Sequence, residues 1–516
     1  MAETNASIAE KLLGLSKQYG SENADVLISR GKGSSMEVRE GELEQAEGSE
    51  GLSISLRVIN HQKSSLVSCS DPSKESLEEL AQRANEIANE SIPNPFLGLA
   101  ENNDLAKKSL MPIIDISEPE DLFLKDPNKL RSMALEADKA AVNSTGISKT
   151  DGSSASASQS EFFLATSNGF SNGYNKSSYA IVSSAISIHD SKMERDYAFE
   201  QRVYFEDLPQ PETVGILAAE RAKMMQGARK PSTGTYPVIF NERVSGSLVG
   251  HILAAINGEA ISRGTSWLLG SIDSRILPKN VSMIEDPHLP RLSGSRPFDA
   301  EGLPTNKKYF VEDGILKGWV LDLKTSRQLG LKSSGNASRS VTSPPSPGAG
   351  NIELTNGDKS ISELLAEAGE GLMVCSLIGS SINPNNGDYS RGATGFWFKN
   401  GEITHPVNEC TIAGNLKFDG DMDLDASATE TIHSEVNNPN FTVANGELKT
   451  YLDNSLLHNM YQSMAQDSDG RIYVAVNRDA NNSNVNKMNN DKIKNGKRLA
   501  GNLVFNLSLI FLNQYI

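Results

Sequence analysis

The sequence predicts an α+β protein in three folded parts: an N-terminal α/β unit, a mixed middle unit and a β-rich C-terminal domain. Three observations carry this expectation. Apolar spacing in the first hundred residues switches from a period near 3.6 to a period of 2 and back. Two dipeptides suited to tight hairpin turns, Asp313-Gly314 and Asn400-Gly401, punctuate the later β-rich stretch. The length, 516 residues, exceeds the roughly 250–300 at which one core stops growing.

The first part, residues 1–104, reads α-β-β-β-α. Ile8, Leu12, Leu15 and Tyr19 fall at helical spacing, and ADVLISR from Ala24 is a short apolar strand. GLSISLRVIN then alternates Leu52, Ile54, Leu56 and Val58 on one face, as a half-buried strand should. A helix starts after Asp71-Pro72, striped by Leu77, Leu80, Ala81, Ala84, Ile87 and Ala88. The second part, 105–230, predicts a helix near 127–141, strands in SEFFLAT and SSYAIVSSAISIHD, and a closing helix from Pro211. The third, 231–417, opens with the strand TYPVIF, continues into an apolar helix carrying His251, and then turns to strands in KKYFVEDG, ILKGWVLDL and GFWFKNGEI. SPPSPGAG, from Ser343, reads as an exposed loop. Residues 418–516 form a divergent tail, Asn-rich between Asn477 and Arg498, whose composition favours disorder.

Composition narrows the function classes. A formal charge of −16, with no dense Lys/Arg stripe, argues against direct nucleic-acid binding. No apolar run reaches the roughly 18 residues that span a bilayer, and the N-terminus lacks the pattern of a signal peptide. Cys69, Cys375 and Cys410 are too scattered for a disulfide framework or a CxxC knuckle, which points to a reducing, cytoplasmic setting. The seven histidines are far apart and none begins HExxH; phosphate-loop, dinucleotide and nucleophile-elbow patterns are also missing. On its residues alone, His251 beside Leu248, Ile252 and Leu253 is a core or interface histidine.

Three stretches of the third part supply a family resemblance: SGSRPFDAEGLPT from Ser293, TSRQLGLKSSGNASR from Thr325, and NGDYSRGATGFWFKNGEITHPVNECTIAGNL ending at Leu416. Together they resemble the PmbA/TldE branch of the TldD/PmbA family, over roughly residues 20 to 417. The resemblance implies a cytoplasmic protease of two homologous subunits acting on peptides and unfolded segments. In it, the TldD-type subunit binds the metal, expected to be zinc, through an HExxxH helix followed by an RGTS-like turn.

The stretch SGSLVGHILAAINGEAISRGTS, from Ser245, is similar to that element. VGH matches the end of the motif, and RGTS, from Arg263, matches the turn. Gly246 then stands where the first histidine would be and Ser247 where the glutamate would be, leaving His251 as the survivor of a ligand set. Neither glycine nor a serine hydroxyl replaces an imidazole ligand plus a carboxylate base. The expectation is a chain without its own metal or cofactor, not catalytic alone, partnered by a TldD-type subunit. Asp388, Tyr389 and Arg391 of GDYSRG, together with Arg263, are candidate substrate or interface residues, with Asp388 and Arg391 reading equally as the cap and staple of a hairpin. Arg296, Asp299 and Glu301 read as a surface turn with a local ion pair rather than a catalytic carboxylate pair, and Arg327 and Lys332 as partner contacts or a solvated helix-to-loop segment. Asn336 stands where some relatives have histidine. Two other readings stay open: a self-sufficient metallopeptidase drawing on His251 with distant carboxylates such as Glu242 or Glu259, and a non-enzymatic adaptor or modulator.

Overall fold

Two α-β-β-β-α arrangements follow one another along the chain and share a single sheet. In this computed structural model the described residues are 3–119, 126–355, 359–417, 450–451 and 472–475. The first arrangement is α1 (Asn5–Gln18), β1 (Asn23–Arg39), β2 (Glu42–Asn60), β3 (Lys63–Cys69) and α2 (Lys74–Glu90). The second is α3 (Asn128–Val142), β4 (Lys149–Thr166), β5 (Ser171–His189), β6 (Lys192–Arg202) and α4 (Pro211–Met224). Their strands form one antiparallel six-stranded sheet in the order β3-β2-β1-β4-β5-β6. The expected boundary between residues 104 and 105 therefore separates two halves of one sheet.

Burial shows why the sequence folds this way. Val26 and Ile28 of β1, with Ile54, Leu56 and Val58 of β2, pack under the stripes of α1 and α2, including Ile8, Leu12, Leu77 and Ala84. Val38, Ala155, Tyr179, Ile181 and Ala198 do the same under α3 and α4. Each large aliphatic side chain removed from water in this way contributes about 1.5–3 kcal/mol. Gly215 of α4 lies so close to α3 that an added Cβ would sit 2.1 Å from the Ala137 carbonyl oxygen. The hairpin turns pair residues with positive φ: Glu40-Gly41 (51° and 82°), His61-Gln62 (49° and 63°) and Asp190-Ser191 (47° and 62°). This geometry suits the right-handed twist of the strands they join.

Compact unit one comprises Met1–Ala228, Ser247–Ser274 and Asn280–Thr355. Beyond the large sheet it contains a four-stranded sheet in the order β10-β9-β8-β13 and a two-stranded pair, β11 and β12. These strands are β8 (Met283–Glu285), β9 (Lys308–Glu312), β10 (Ile315–Leu316), β11 (Ala337–Ser338), β12 (Ser346–Pro347) and β13 (Ile352–Leu354). Asp313-Gly314 forms the expected β9–β10 turn, with φ of 47° and 79°. ILKGWVLDL keeps only two residues in β10 before leading into the helix Leu323–Gln328. SPPSPGAG is not simply an exposed loop: Pro345 and Pro347 are buried, and β12 pairs with β11.

Compact unit two comprises Arg229–Gly246, Arg275–Lys279 and Asn356–Ile516. Its sheet runs β16-β15-β14-β7-β17, with β18 also on β7. The strands are β7 (Thr235–Phe240), β14 (Glu370–Ile382), β15 (Asp388–Lys399), β16 (Glu402–Asn415), β17 (Thr450–Tyr451) and β18 (Ile472–Ala475). Asn400-Gly401 is the expected turn, with φ of 54° and 85°. The helix Ile361–Ala368 buries Leu364 and Leu365 against Ile239 and Phe398. Apart from β17 and β18, the tail, for which composition led to an expectation of disorder, lies outside the described residues.

Candidate functional site

The helix expected to carry the degenerate ligand set forms as anticipated. It runs Glu242–Ala255, directly after β7, and Asn241 caps its start by accepting the Arg243 N–H at 3.1 Å. Leu248, Val249 and Ile252 are buried, which fixes the helix face. Gly246, Ser247 and His251 are all half-buried. Ser247 and His251 are one turn apart and so share a face, but a glycine and a hydroxyl there supply neither imidazole nor carboxylate. Glu242 is nine residues before His251, about 14 Å along the axis at 1.5 Å per residue, too far to share an ion with it.

The turn that follows is built from local interactions. Asn257 caps the short helix Gly258–Ser262 through the Glu259 N–H at 2.9 Å. Arg263 ends that helix with its side chain 66% exposed, its Nε donating to the Glu259 carbonyl and its Nη2 lying 3.3 Å from the Glu259 carboxylate. Lys324 donates to the same carboxylate at 2.8 Å, and this bond, more than the nearby charges, holds Glu259 below the usual range. Glu259 is thus committed to two cations. Among the described residues no group of three His, Cys, Asp or Glu side chains is placed to hold a metal.

GDYSRG lies at the start of β15. Asp388 accepts from Asn386 Nδ2 at 2.7 Å and Asn415 Nδ2 at 2.9 Å, and Arg391 Nε donates to the Gly379 carbonyl at 2.7 Å. Both charged residues therefore brace the hairpin and its neighbouring strand. Tyr389 is buried, packs edge-on to Phe240, and has its phenol pushed up to about 12 by burial.

The buried charges lie elsewhere, within unit one. Asp25 of β1 accepts from Arg57 Nε of β2 at 2.7 Å and from Arg339 Nη1 at 2.5 Å, and all three side chains are buried. Burial alone would raise the Asp25 carboxyl, but Arg339 and Arg57 outweigh it and hold the group below the usual range. Asp299 and Glu301, expected on a surface turn, are 1% and 5% exposed, which corrects that expectation. Asp299 accepts the N–H groups of Glu301, Leu303 and Ala337, while Glu301 accepts the Leu323 N–H. Burial, and then the charge of Asp299, push the Glu301 carboxyl up to about 8.

Glu285, also buried, accepts from Asn336 Nδ2 at 2.7 Å and from the Gly350 N–H at 2.6 Å, with Lys308 Nζ 3.3 Å away. This node holds the SPPSPGAG segment in place. Arg327 donates to the carbonyls of Phe96, Gly98 and Leu99, so it staples two segments of unit one and is not a solvated residue. Sequence reasoning passed over Asp25, Arg57, Glu285 and Arg339. Asp25 and Arg57 gave one signal, a charge inside an apolar strand on the face that alternation assigns to solvent, whereas Glu285, in a short strand buried throughout, and Arg339, outside any strand, gave none.

Three family descriptions match the chain: PmbA/TldA metallopeptidase domain 1 over residues 24–88, the central domain over 118–226 and the C-terminal domain over 233–445. The Metalloprotease PmbA of Escherichia coli O157:H7 is 35% identical over 398 residues, covering 77% of this chain and 85% of that protein. The chain belongs to the PmbA/TldD family. A PmbA homologue from Buchnera aphidicola is 31% identical over 409 residues, covering 78% of this chain and 88% of its own. The crystal structure of TldE from Thermococcus kodakarensis shares its fold with this chain at a TM-score of 0.69 and 22% identity, covering 79% of this chain and 91% of that one. The C-terminal family match continues to residue 445, past the point near 417 where the quoted motifs end.

Proposed function

We propose that this chain is the PmbA/TldE-like, metal-free subunit of a two-chain metalloprotease that cleaves peptides and unfolded segments in the cytoplasm. Its partner is a homologous TldD-type subunit whose HExxxH helix holds the metal, zinc by its ligand chemistry, and supplies the activated water and general base. One observation carries the reading: on the helix Glu242–Ala255 a glycine and a serine stand one turn before His251, and the nearest sequence carboxylates, Glu242 and Glu259, are respectively too distant along the helix and already bound to Lys324 and Arg263. The donor set does not fit a hydrolytic zinc ion, so no catalytic step is assigned to this chain.

What remains for it is to shape the reaction chamber and hold an extended polypeptide, for which main-chain pairing gives affinity without strict sequence demands. Arg263, its guanidinium reaching solvent, is the candidate interface residue on the turn after the degenerate helix. The test is reconstitution. Mixed with a TldD-type chain carrying HExxxH, this protein is expected to form a stable complex and to raise peptide cleavage well above that of either chain alone. A stable complex with no gain in cleavage would favour the adaptor reading, and cleavage by the isolated chain would overturn the proposal.

A further inference from the structure

The two edge strands of the large sheet differ in length and in cover. β3 pairs with β2 only over Ile54–Asn60, so the outer edge of β2 from Glu42 to Ser53 has no strand beside it among the described residues. Twelve residues at about 3.4 Å each leave an open edge of roughly 40 Å. Residues 42–51 are all exposed. The edge is firmly backed: β1 pairs with β2 from Arg39↔Glu42 through Lys32↔Glu50, and β4 backs β1 from Lys32 to Val38. Asp138 of α3 fixes the turn by accepting the Gly41 N–H at 2.9 Å. The strand contains no proline, and the one irregularity of the β1–β2 pairing, between Glu37 and Val38, leaves Glu44 as an extra residue of β2 near the turn, with regular pairing from Gln45 onward.

Glutamate dominates this hairpin. Residues 31–51 carry Glu37, Glu40, Glu42, Glu44, Glu47 and Glu50 against Lys32 and Arg39. Lys32 pairs with Glu50 and Arg39 with Glu44, each at 3.0 Å, while Glu47 accepts from Gln45. Charges on an edge usually guard against pairing. Here they guard selectively: a second copy laid antiparallel would set glutamate against glutamate, whereas a strand bearing lysine or arginine meets opposite charge along a row of N–H and C=O groups that no described strand covers.

We propose that the outer edge of β2, Glu42–Ser53, captures extended basic segments of unfolded polypeptide by strand addition. This rests on the reading of the chain as the peptide-holding subunit of a protease and names the class of substrate segment it holds. Main-chain hydrogen bonds give the affinity, and the glutamates select the charge.

The test uses the full-length chain without any catalytic partner, so its failure is separate from failure of the reconstitution above. A fluorescein-labelled twelve-residue peptide alternating lysine and threonine is titrated and binding is read by anisotropy. Three comparisons decide the outcome: a Glu/Thr peptide, the Lys/Thr peptide N-methylated at every second residue, and the chain carrying Glu42→Lys and Glu47→Lys. The Lys/Thr peptide is expected to bind, the Glu/Thr peptide not to bind, and N-methylation or the double substitution each to weaken binding about tenfold. Equal binding of the N-methylated peptide would show attraction by charge alone and overturn strand addition. Undiminished binding by a double variant that melts like the parent would place the site elsewhere, and no binding of the Lys/Thr peptide would overturn the proposal outright.

Discussion

Glu301 is the residue whose environment departs furthest from what its neighbours in sequence suggest. Its carboxyl, ordinarily at 4.5, is pushed to about 8, so the folded chain holds a proton there that the unfolded chain releases. Stability from this group is fully present below about 4.5 and is lost as pH rises through about 8, with a slope of up to about 1.4 kcal/mol per pH unit. Glu301→Gln keeps an acceptor for the Leu323 N–H while removing the titration, so urea unfolding between pH 5 and 9 is expected to show a flatter pH dependence than the parent. An unchanged slope would contradict the assignment. Arg339→Met tests the neighbouring group: it leaves Asp25 buried with Arg57 alone, and loss of one partner from a buried charge cluster costs about 3–5 kcal/mol. A loss under about 1 kcal/mol in denaturant titration would mean the cluster is solvated.

At the scale of elements, the close approach of α3 and α4 decides between opposing effects. Gly215→Ala in an isolated helix stabilises by about 1 kcal/mol. Here the added methyl group would sit 2.1 Å from the Ala137 carbonyl and force the helices apart, and such overpacking costs about 1–3 kcal/mol. A lowered melting temperature is therefore expected, and a raised one would show that the helices yield freely. The elements themselves were legible wherever periodicity was strong: α1, α2, α3, α4 and β7 fall where apolar spacing places them. Asp313-Gly314 and Asn400-Gly401 were legible because their chemistry matches positive φ at both turn positions. β6 was not read, because it opens after Asp190-Ser191, a turn of the same geometry without glycine, and its second face exposes Met193, Tyr197 and Phe199. The buried carboxylates of PFDAEG were illegible for a different reason. Local sequence reports charge and turn chemistry, but burial of Asp299 and Glu301 comes from distant segments, with Arg57, Asp322 and the Ala337 N–H converging on one loop.

For the whole molecule, family membership and the helix bearing Gly246, Ser247 and His251 were both legible in linear sequence, the first from motifs and the second from apolar spacing. The merging of the two N-terminal parts into one sheet was not, because β1–β4 pairing joins residues more than a hundred positions apart and leaves no periodic trace. The central claim of the proposed function is that this chain holds no metal-binding centre of its own. It is tested most directly by metal analysis of the purified chain alone after dialysis against zinc-containing buffer, with peptide cleavage followed in parallel. The expected result is well below one zinc per chain and no cleavage that a chelator abolishes; one tightly held zinc per chain, lost together with peptidase activity on chelation and on His251→Ala, would contradict it.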